Sequence, residues 1–309
     1  MLGTERGEGR AVTNPRRPRR RWVVALGLLL ALALVVFIVV NVLPGNKNQG
    51  SGPTTATAPT SAPPTSTVPK KPPGCPDVQV LVVPGTFETS PTADPTVPVG
   101  LLKSATAPVA QRFPADRASI YYVPYLAKFD NIFVYQASEA DGVTRTTQAI
   151  AATATKCPAT QFALLGYSQG ATAAGDVAAQ IGRGGGPITP TRLIAVGLVA
   201  DPGRDPATEP LIGPPVDGAG LAQALAPRPP GLDQLRGRVV TFCATGDLIC
   251  ATPPAAIAPA NLQSTLALVQ RYQTSGVHSS YGKYQVAPGM SATQWLANWL
   301  NDKIEKAPK

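Results

Sequence analysis

Gln161-Phe162-Ala163-Leu164-Leu165-Gly166-Tyr167-Ser168-Gln169-Gly170-Ala171 decides how this chain is read. An apolar run of strand composition ends in Gly-x-Ser-x-Gly, and an Ala-rich stretch of helical composition continues to Ile181. A strand that turns sharply into a helix at such a pentapeptide leaves the serine hydroxyl exposed at the turn, the arrangement called a nucleophile elbow. The flanking glycines let neighbouring backbone pass closely there. A glycine-rich turn with a bystander serine would show the same five residues. The reading therefore depends on whether Ser168 has partners.

A serine hydroxyl is a weak nucleophile near neutral pH and needs a base, commonly an imidazole. His278 is the only histidine in the 309 residues. If a histidine activates Ser168, it is His278. Its surroundings, Ser275-Gly276-Val277-His278-Ser279-Ser280-Tyr281-Gly282, read as a polar loop that can carry the ring to the carboxyl edge of a sheet. The third group is a carboxylate, expected between Ser168 and His278 because α/β-hydrolases follow the order Ser, acid, His. Asp176, Asp201, Asp205, Glu209, Asp217, Asp233 and Asp247 fill that interval. Asp176 falls on the helix after the elbow and reads as a solvated residue. Asp201 follows the apolar run Leu193–Ala200, and Asp247 follows the β-rich run Arg238–Cys243, so both stand at strand ends. Asp247 lies in a short loop between two cysteines, a good place to hold a carboxylate rigidly against an imidazole.

The cysteines are Cys75, Cys157, Cys243 and Cys250, and four allow three pairings. Zinc binding is the rival use, but the spacing lacks paired Cys-x-x-Cys knuckles. Disulfides imply an oxidising compartment outside the cytoplasm. The amino terminus agrees. Residues 1–21 carry seven arginines against two glutamates, and Trp22–Leu43 is an uncharged apolar stretch of 22 residues. At about 1.5 Å per residue it would be roughly 33 Å long, enough to span a bilayer. The arginines would stay in the cytoplasm and the rest of the chain would lie outside, on the plasma membrane, by the positive-inside rule. A cleaved signal peptide, leaving a secreted protein, is the alternative. Residues 44–74 are dense in Pro, Thr, Ser, Ala and Gly and read as an extended spacer.

Of the net charge of +9, all but one unit belongs to the tail and spacer, because residues 75–309 hold 17 basic and 16 acidic side chains. Nothing there resembles a nucleic-acid footprint. That remaining segment is a normal size for one domain. Short β-rich runs recur at Val78–Val83, Asn131–Tyr135, Phe162–Leu165, Leu193–Ala200 and Val239–Phe242, with helical composition at Gly142–Lys156 and after the elbow. Strands alternating with helices predict an α/β fold, a parallel sheet with helices on both faces. Later helices are expected over Ala260–Gln273 and Ser291–Glu305. In the latter, Ala292, Trp295, Leu296, Trp299 and Leu300 form a core-facing stripe. Asp201–Gly237 is rich in Pro and Gly, a long irregular connection that could form a cap beside the site.

The first strand ends in Val82-Val83-Pro84-Gly85-Thr86-Phe87-Glu88-Thr89. Acyl transfer creates an oxyanion that needs preorganised donors. The backbone N–H of Gln169, next after the nucleophile, is one expected donor. Thr86, through its N–H and its hydroxyl, is the candidate for the second. The scheme calls for no metal or cofactor.

Taken together, Pro84–Thr89, Gly166–Gly170, the Cys-x-x-Gly-Asp-x-x-Cys element of Cys243–Cys250 and His278–Tyr281 resemble the cutinase family, in the same order and over about Cys75 to the carboxyl terminus. The resemblance implies an α/β-hydrolase with a central five-stranded parallel sheet. It implies Ser168 as nucleophile, His278 as base, Asp247 as its acid, and Thr86 and Gln169 in the oxyanion hole. It also implies the pairs Cys75–Cys157 and Cys243–Cys250. With a basic tail, anchor and spacer, the chain is similar to membrane-anchored actinobacterial cutinase-like lipases, which act as phospholipases or thioesterases. The partners this implies are a lipid or acyl-ester substrate and, through residues 22–43, a membrane. Acyl transfer on the same three residues, or a lipid-binding module that has lost catalysis, are the competing readings.

Overall fold

A computed structural model describes residues 71–257 and 276–309, with residues 261, 263, 264 and 267 between them. The basic tail 1–21, the apolar stretch 22–43 and the spacer to residue 70 lie outside the described residues, as does most of the helix expected over Ala260–Gln273. Among the described residues no helix is long and apolar enough to cross a membrane. Lys71, at the end of the spacer, already docks on the domain. Its Nζ donates to Asp77 at 2.6 Å and to the Asp116 carbonyl at 3.1 Å.

Five strands pair in parallel: β1 (Val78–Val83), β2 (Ala118–Tyr122), β3 (Gln161–Tyr167), β4 (Leu193–Val199) and β5 (Val239–Phe242). Their order is β2-β1-β3-β4-β5. The chain leaves β1 towards one side of the sheet and returns to β3 on the other. Such a reversal opens a crevice at the carboxyl ends of the two strands, where α/β sheets place their ligands. The Pro84–Thr86 turn follows β1 and Ser168 follows β3, so both face that crevice.

Alternation explains the two layers. Val78, Val80 and Val82 of β1 pack on one face with α1 (Lys103–Arg112) and α5 (Ala292–Lys306). Leu81 and Val83 pack on the other with α2 (Ile132–Lys156) and α3 (Gln169–Gly182). Successive strand residues point to opposite faces, and a sheet covered on both sides reads as a continuous apolar run. In α5, Ala292, Leu296, Leu300 and Ile304 are buried, with Trp295 and Trp299 packed at the margin of the same core. Ser291 starts this helix with a capping box, reciprocal bonds between it and Gln294.

One strand expectation fails. Asn131–Tyr135 is the beginning of α2, not a strand, and the second strand is instead Ala118–Tyr122. The β-branched and aromatic run Ile132-Phe133-Val134-Tyr135 has strand composition. Asn131 decides otherwise: its side chain accepts from the N–H groups of Phe133 and Val134 at 3.0 and 3.1 Å, an N-cap that commits the chain to a helix.

Both disulfides are formed, Cys75–Cys157 and Cys243–Cys250. The first ties the chain just before β1 to the end of α2, and the second closes the loop after β5. Asp201–Gly237 is not featureless. It pairs Leu211 with Thr241 on the outer edge of β5 and contains a short helix, α4 (Leu221–Leu225). Leu221 N–H donates to the Ile249 carbonyl at 3.0 Å, so the segment also braces the disulfide loop.

Candidate active site

The elbow is strained. Ser168 sits between β3 and α3 with φ 53°, a left-handed conformation unfavourable for a residue with a Cβ. Its N–H donates to the Val199 carbonyl at 2.9 Å and its carbonyl accepts from Ala171 at 2.8 Å, which hold the turn from both sides. A Cβ on Gly170 would run into the backbone of Val83 and Pro84. That contact shows the β1 turn packed directly against the start of α3.

Ser168, His278 and Asp247 come together at this point. His278 Nε2 lies 2.8 Å from Ser168 Oγ, and His278 Nδ1 lies 2.9 Å from Asp247 Oδ2. A carboxylate only accepts, so Nδ1 carries the proton and Nε2 is left to accept from the serine hydroxyl. Ser168, His278 and Asp247 are 5%, 6% and 1% exposed, so the line of bonds is shielded from bulk water. Asp247 Oδ1 accepts from Ile249 N–H at 3.0 Å, inside the Cys243–Cys250 loop. Oδ2 accepts a second bond from Tyr281 Oη at 2.7 Å. Tyr167 braces the histidine: its hydroxyl donates to the His278 carbonyl at 2.7 Å and its ring stacks on the imidazole with centroids 5.3 Å apart.

Thr86 and Gln169 flank the nucleophile. Thr86 Oγ1 is buried and has no hydrogen-bond partner among the described residues. Buried polar atoms are normally satisfied, so an orphan hydroxyl beside an elbow fits a donor waiting for charge. Gln169 opens α3, where the first N–H groups have no partner within the helix and the helix dipole favours negative charge. Its side chain is fastened to the loop before α2 and to the first turns of that helix, donating to the carbonyls of Lys128 and Tyr135 at 3.1 and 3.3 Å and accepting from Ser138 at 3.0 Å. Glu88 fastens the Thr86 turn. Its carboxylate accepts from the N–H groups of Gly85 and Leu101, each at 2.8 Å. Burial pushes the Glu88 carboxyl up from its usual range, against the pull of those two bonds.

The remaining carboxylates do not reach His278. Asp201, Asp176 and Glu209 all bond the buried Arg228, at 2.9, 2.7 and 2.6 Å. Asp176 is therefore an ion-pair partner and not the solvated helix residue expected. Asp201 also accepts from Thr172 Oγ1 at 3.2 Å and Gly203 N–H at 2.7 Å. Asp205 closes a local turn on Ala207. Burial would lower the Arg228 guanidinium, but Asp201, Glu209 and Asp176 hold it above its ordinary range. The sequence offers no signal for this hub, nor for the Tyr167 contact with His278, because each depends on chain segments far apart in sequence. Among the described residues no group of three or more His, Cys, Asp or Glu side chains is arranged to hold a metal ion.

A strained serine elbow on a doubly wound sheet, with an imidazole and a carboxylate in line behind it, defines an α/β-hydrolase. The chain belongs to the cutinase family, whose family model matches residues 74–297. A Corynebacterium glutamicum protein, Carboxylesterase Culp6 homolog, is 32% identical over 314 residues, which span 93% of this chain and 99% of that protein. Among solved structures, an acetyl xylan esterase superposes with a TM-score of 0.50 at 18% identity, over 74% of this chain and 99% of its own. At that identity the likeness speaks for the fold alone. Family and curated relative make this chain a carboxylic-ester hydrolase.

Proposed function

We propose that this chain is a membrane-tethered serine esterase that cleaves acyl esters of envelope lipids through an acyl-serine intermediate. The observation that carries the catalytic part is the line Ser168 Oγ, His278 Nε2, His278 Nδ1, Asp247 Oδ2, closed at 2.8 and 2.9 Å. Ser168 Oγ attacks the ester carbonyl as its proton passes to Nε2. Asp247 holds the tautomer and stabilises the imidazolium. The N–H groups of Gln169 and Thr86, with the Thr86 hydroxyl, receive the oxyanion. The C–O bond breaks and Nε2 returns its proton to the departing alcohol. A water then loses its proton to Nε2 and attacks the acyl-serine, which releases the acid and restores Ser168. A thioester would follow the same course. An acceptor hydroxyl that displaces water would turn hydrolysis into acyl transfer.

A lipid substrate is supported by the surface around the elbow. Of the five large apolar side chains exposed among the described residues, four are Phe87, Leu126, Ile132 and Phe133. Phe87 follows Thr86, and its N–H is bonded to the Ala127 carbonyl at 2.6 Å. Leu126, Ile132 and Phe133 lie on the segment that holds the Gln169 side chain. Clustered exposed apolar groups mark interaction sites, and a long acyl chain suits this one. The tether rests on the arginine-rich tail and the apolar Trp22–Leu43, and an extracytoplasmic domain suits two disulfides.

Labelling with a fluorophosphonate probe tests the reading. Wild type should be modified at Ser168, and Ser168→Ala should not. His278→Ala should lose several orders of magnitude in turnover with folding preserved, because such groups act as a unit. A folded, disulfide-bonded wild type that ignores the probe sinks the proposal. Profiling ester, phospholipid and acyl-thioester substrates by chain length then chooses among acyl groups. Recovery of the full chain in washed membranes, with the domain open to added protease on the outer side, tests the tether.

A further inference from the structure

Asp247 Oδ2 carries two hydrogen bonds, and only one comes from the histidine. Tyr281 supplies the other at 2.7 Å. The geometry fixes which way that bond runs. The Tyr281 hydroxyl accepts from Ala244 N–H at 2.9 Å, so a backbone donor occupies one of its lone pairs. Its single proton is left for an acceptor, and the carboxylate oxygen is the nearest strong one. Cys250 Sγ, at 3.4 Å, is a weak alternative already committed to a disulfide. Tyr281 is fully buried. Burial, then the Asp247 charge, push its phenol well above the ordinary range, so it remains a donor throughout the working pH. Ring contacts hold the hydroxyl in place: Tyr281 packs edge-on against Tyr167 at 6.4 Å and Tyr284 at 6.1 Å between centroids. The same hydroxyl thus joins the 244–250 loop to the turn that bears His278.

We propose that Tyr281 is a positioning residue for catalysis, which orients Asp247 and sets how strongly that carboxylate stabilises the His278 imidazolium. The inference rests on the reading of Ser168, His278 and Asp247 as nucleophile, base and acid. A carboxylate turns about its last bond unless its oxygens are pinned. Ile249 pins Oδ1 and Tyr281 pins Oδ2, which leaves the lone pair of Oδ2 aimed at Nδ1. A donor to a charged acceptor also withdraws part of the charge. Two donors on Oδ2 leave less of it for the imidazolium than one would. The hydroxyl therefore sets how much of the Asp247 charge the imidazolium meets, while it holds the ring in line with Ser168.

Tyr281→Phe removes that hydroxyl and little else. The expected result is a fall in kcat of about tenfold with KM within about twofold, because the bond serves the alignment of Asp247 and His278 with Ser168 and not substrate binding. The acid limb of the kcat/KM profile should move up by about half to one pH unit. The sign follows from the charge: an Asp247 without its second donor stabilises the protonated ring more. With a single histidine in the chain, one 15N-histidine label reads the imidazole titration directly. Its midpoint should move upward with the acid limb. Tyr284→Phe is the control, since its hydroxyl reaches Thr245 of the same loop at 3.2–3.3 Å and is not bonded to Asp247. It should leave both readings in place.

If Tyr281→Phe does not fold, 3-fluorotyrosine placed at position 281 keeps the hydroxyl and makes it more acidic. A stronger donor should move the limb and the midpoint downward. A folded Tyr281→Phe with kcat, acid limb and midpoint unchanged overturns the proposal, and so does a fluorotyrosine variant with an unmoved midpoint. Failure of the underlying reading looks different: wild-type kcat/KM would not track the imidazole titration at all.

Discussion

The Thr86 hydroxyl has no partner among the described residues, and that makes it informative. A buried hydroxyl without a hydrogen bond costs stability. Thr86→Val keeps the shape and removes the unsatisfied oxygen, so the melting temperature should hold or rise. Its effect on catalysis runs the other way. Loss of one oxyanion donor typically costs about 3–4 kcal/mol of barrier, or 10²–10³ in kcat. Because the Thr86 N–H remains, the loss should sit near the low end of that range. Steady-state kinetics and a melting curve on the same variant decide the matter. Unchanged kcat would leave the backbone N–H as the donor and the hydroxyl as idle. At this scale the sequence was very legible for Ser168 and His278. One is announced by its glycines and the other has no competitor. Asp247 was one of seven acids and could be separated from Asp201 only by its family-like loop. The Tyr167 bond to His278 and the Arg228 network carried no local mark, because hydrogen bonds across segments have no period for a sequence to show.

Elements were legible where burial imposed a pattern. β1, β3, β4 and β5 are apolar runs because both faces of the sheet are covered. The edge strand Ala118–Tyr122 is only partly buried at its centre, so it lacks the continuous apolar run that marks the others. The Ile132–Tyr135 run misled because strand composition is a preference for half-buried surface, which an N-capped helix start can also present. Helix–loop joints are where charge replaces pattern. Arg228 bonds Asp176 on α3, Asp201 after β4, and Glu209 in the loop between β4 and α4. Removal of one partner from a buried ionic network leaves charges uncompensated and costs about 3–5 kcal/mol. Arg228→Met should lower the melting temperature by roughly 10 °C, at about 2–4 °C per kcal/mol for a domain of this size. Well below that transition kcat should stay near wild type, since none of these bonds touches Ser168, His278 or Asp247. A variant that melts with wild type would show that the loop is held by its backbone bonds instead.

The same charges give the whole molecule a dependence on pH. Glu139 is raised to about 7, first by burial and then by the Asp176 charge beside it. Glu209 is raised to about 8, by burial and by Asp201, against the pull of Arg228. Both bind protons in the folded protein at a pH where the unfolded chain, near 4.5, has released them. Where the folded state holds more protons, stability falls as pH rises. Their contribution is therefore full below about 4.5 and is lost progressively as pH climbs through 7 to 8. Asp77 acts in the opposite sense. Burial raises it, but the bonds from Lys71 and Arg117 prevail and bring it below its usual 3.8. Its contribution is present above that value and lost as pH falls further. Stability should then peak on the mildly acidic side of neutrality. The melting temperature of the wild type should decline steadily from about pH 5.5 to 8.5. Glu209→Gln, which cannot ionise, should flatten that decline by removing the more strongly raised group. A wild-type melting temperature that rises over this interval would mean that Arg228 keeps Glu139 and Glu209 ionised throughout.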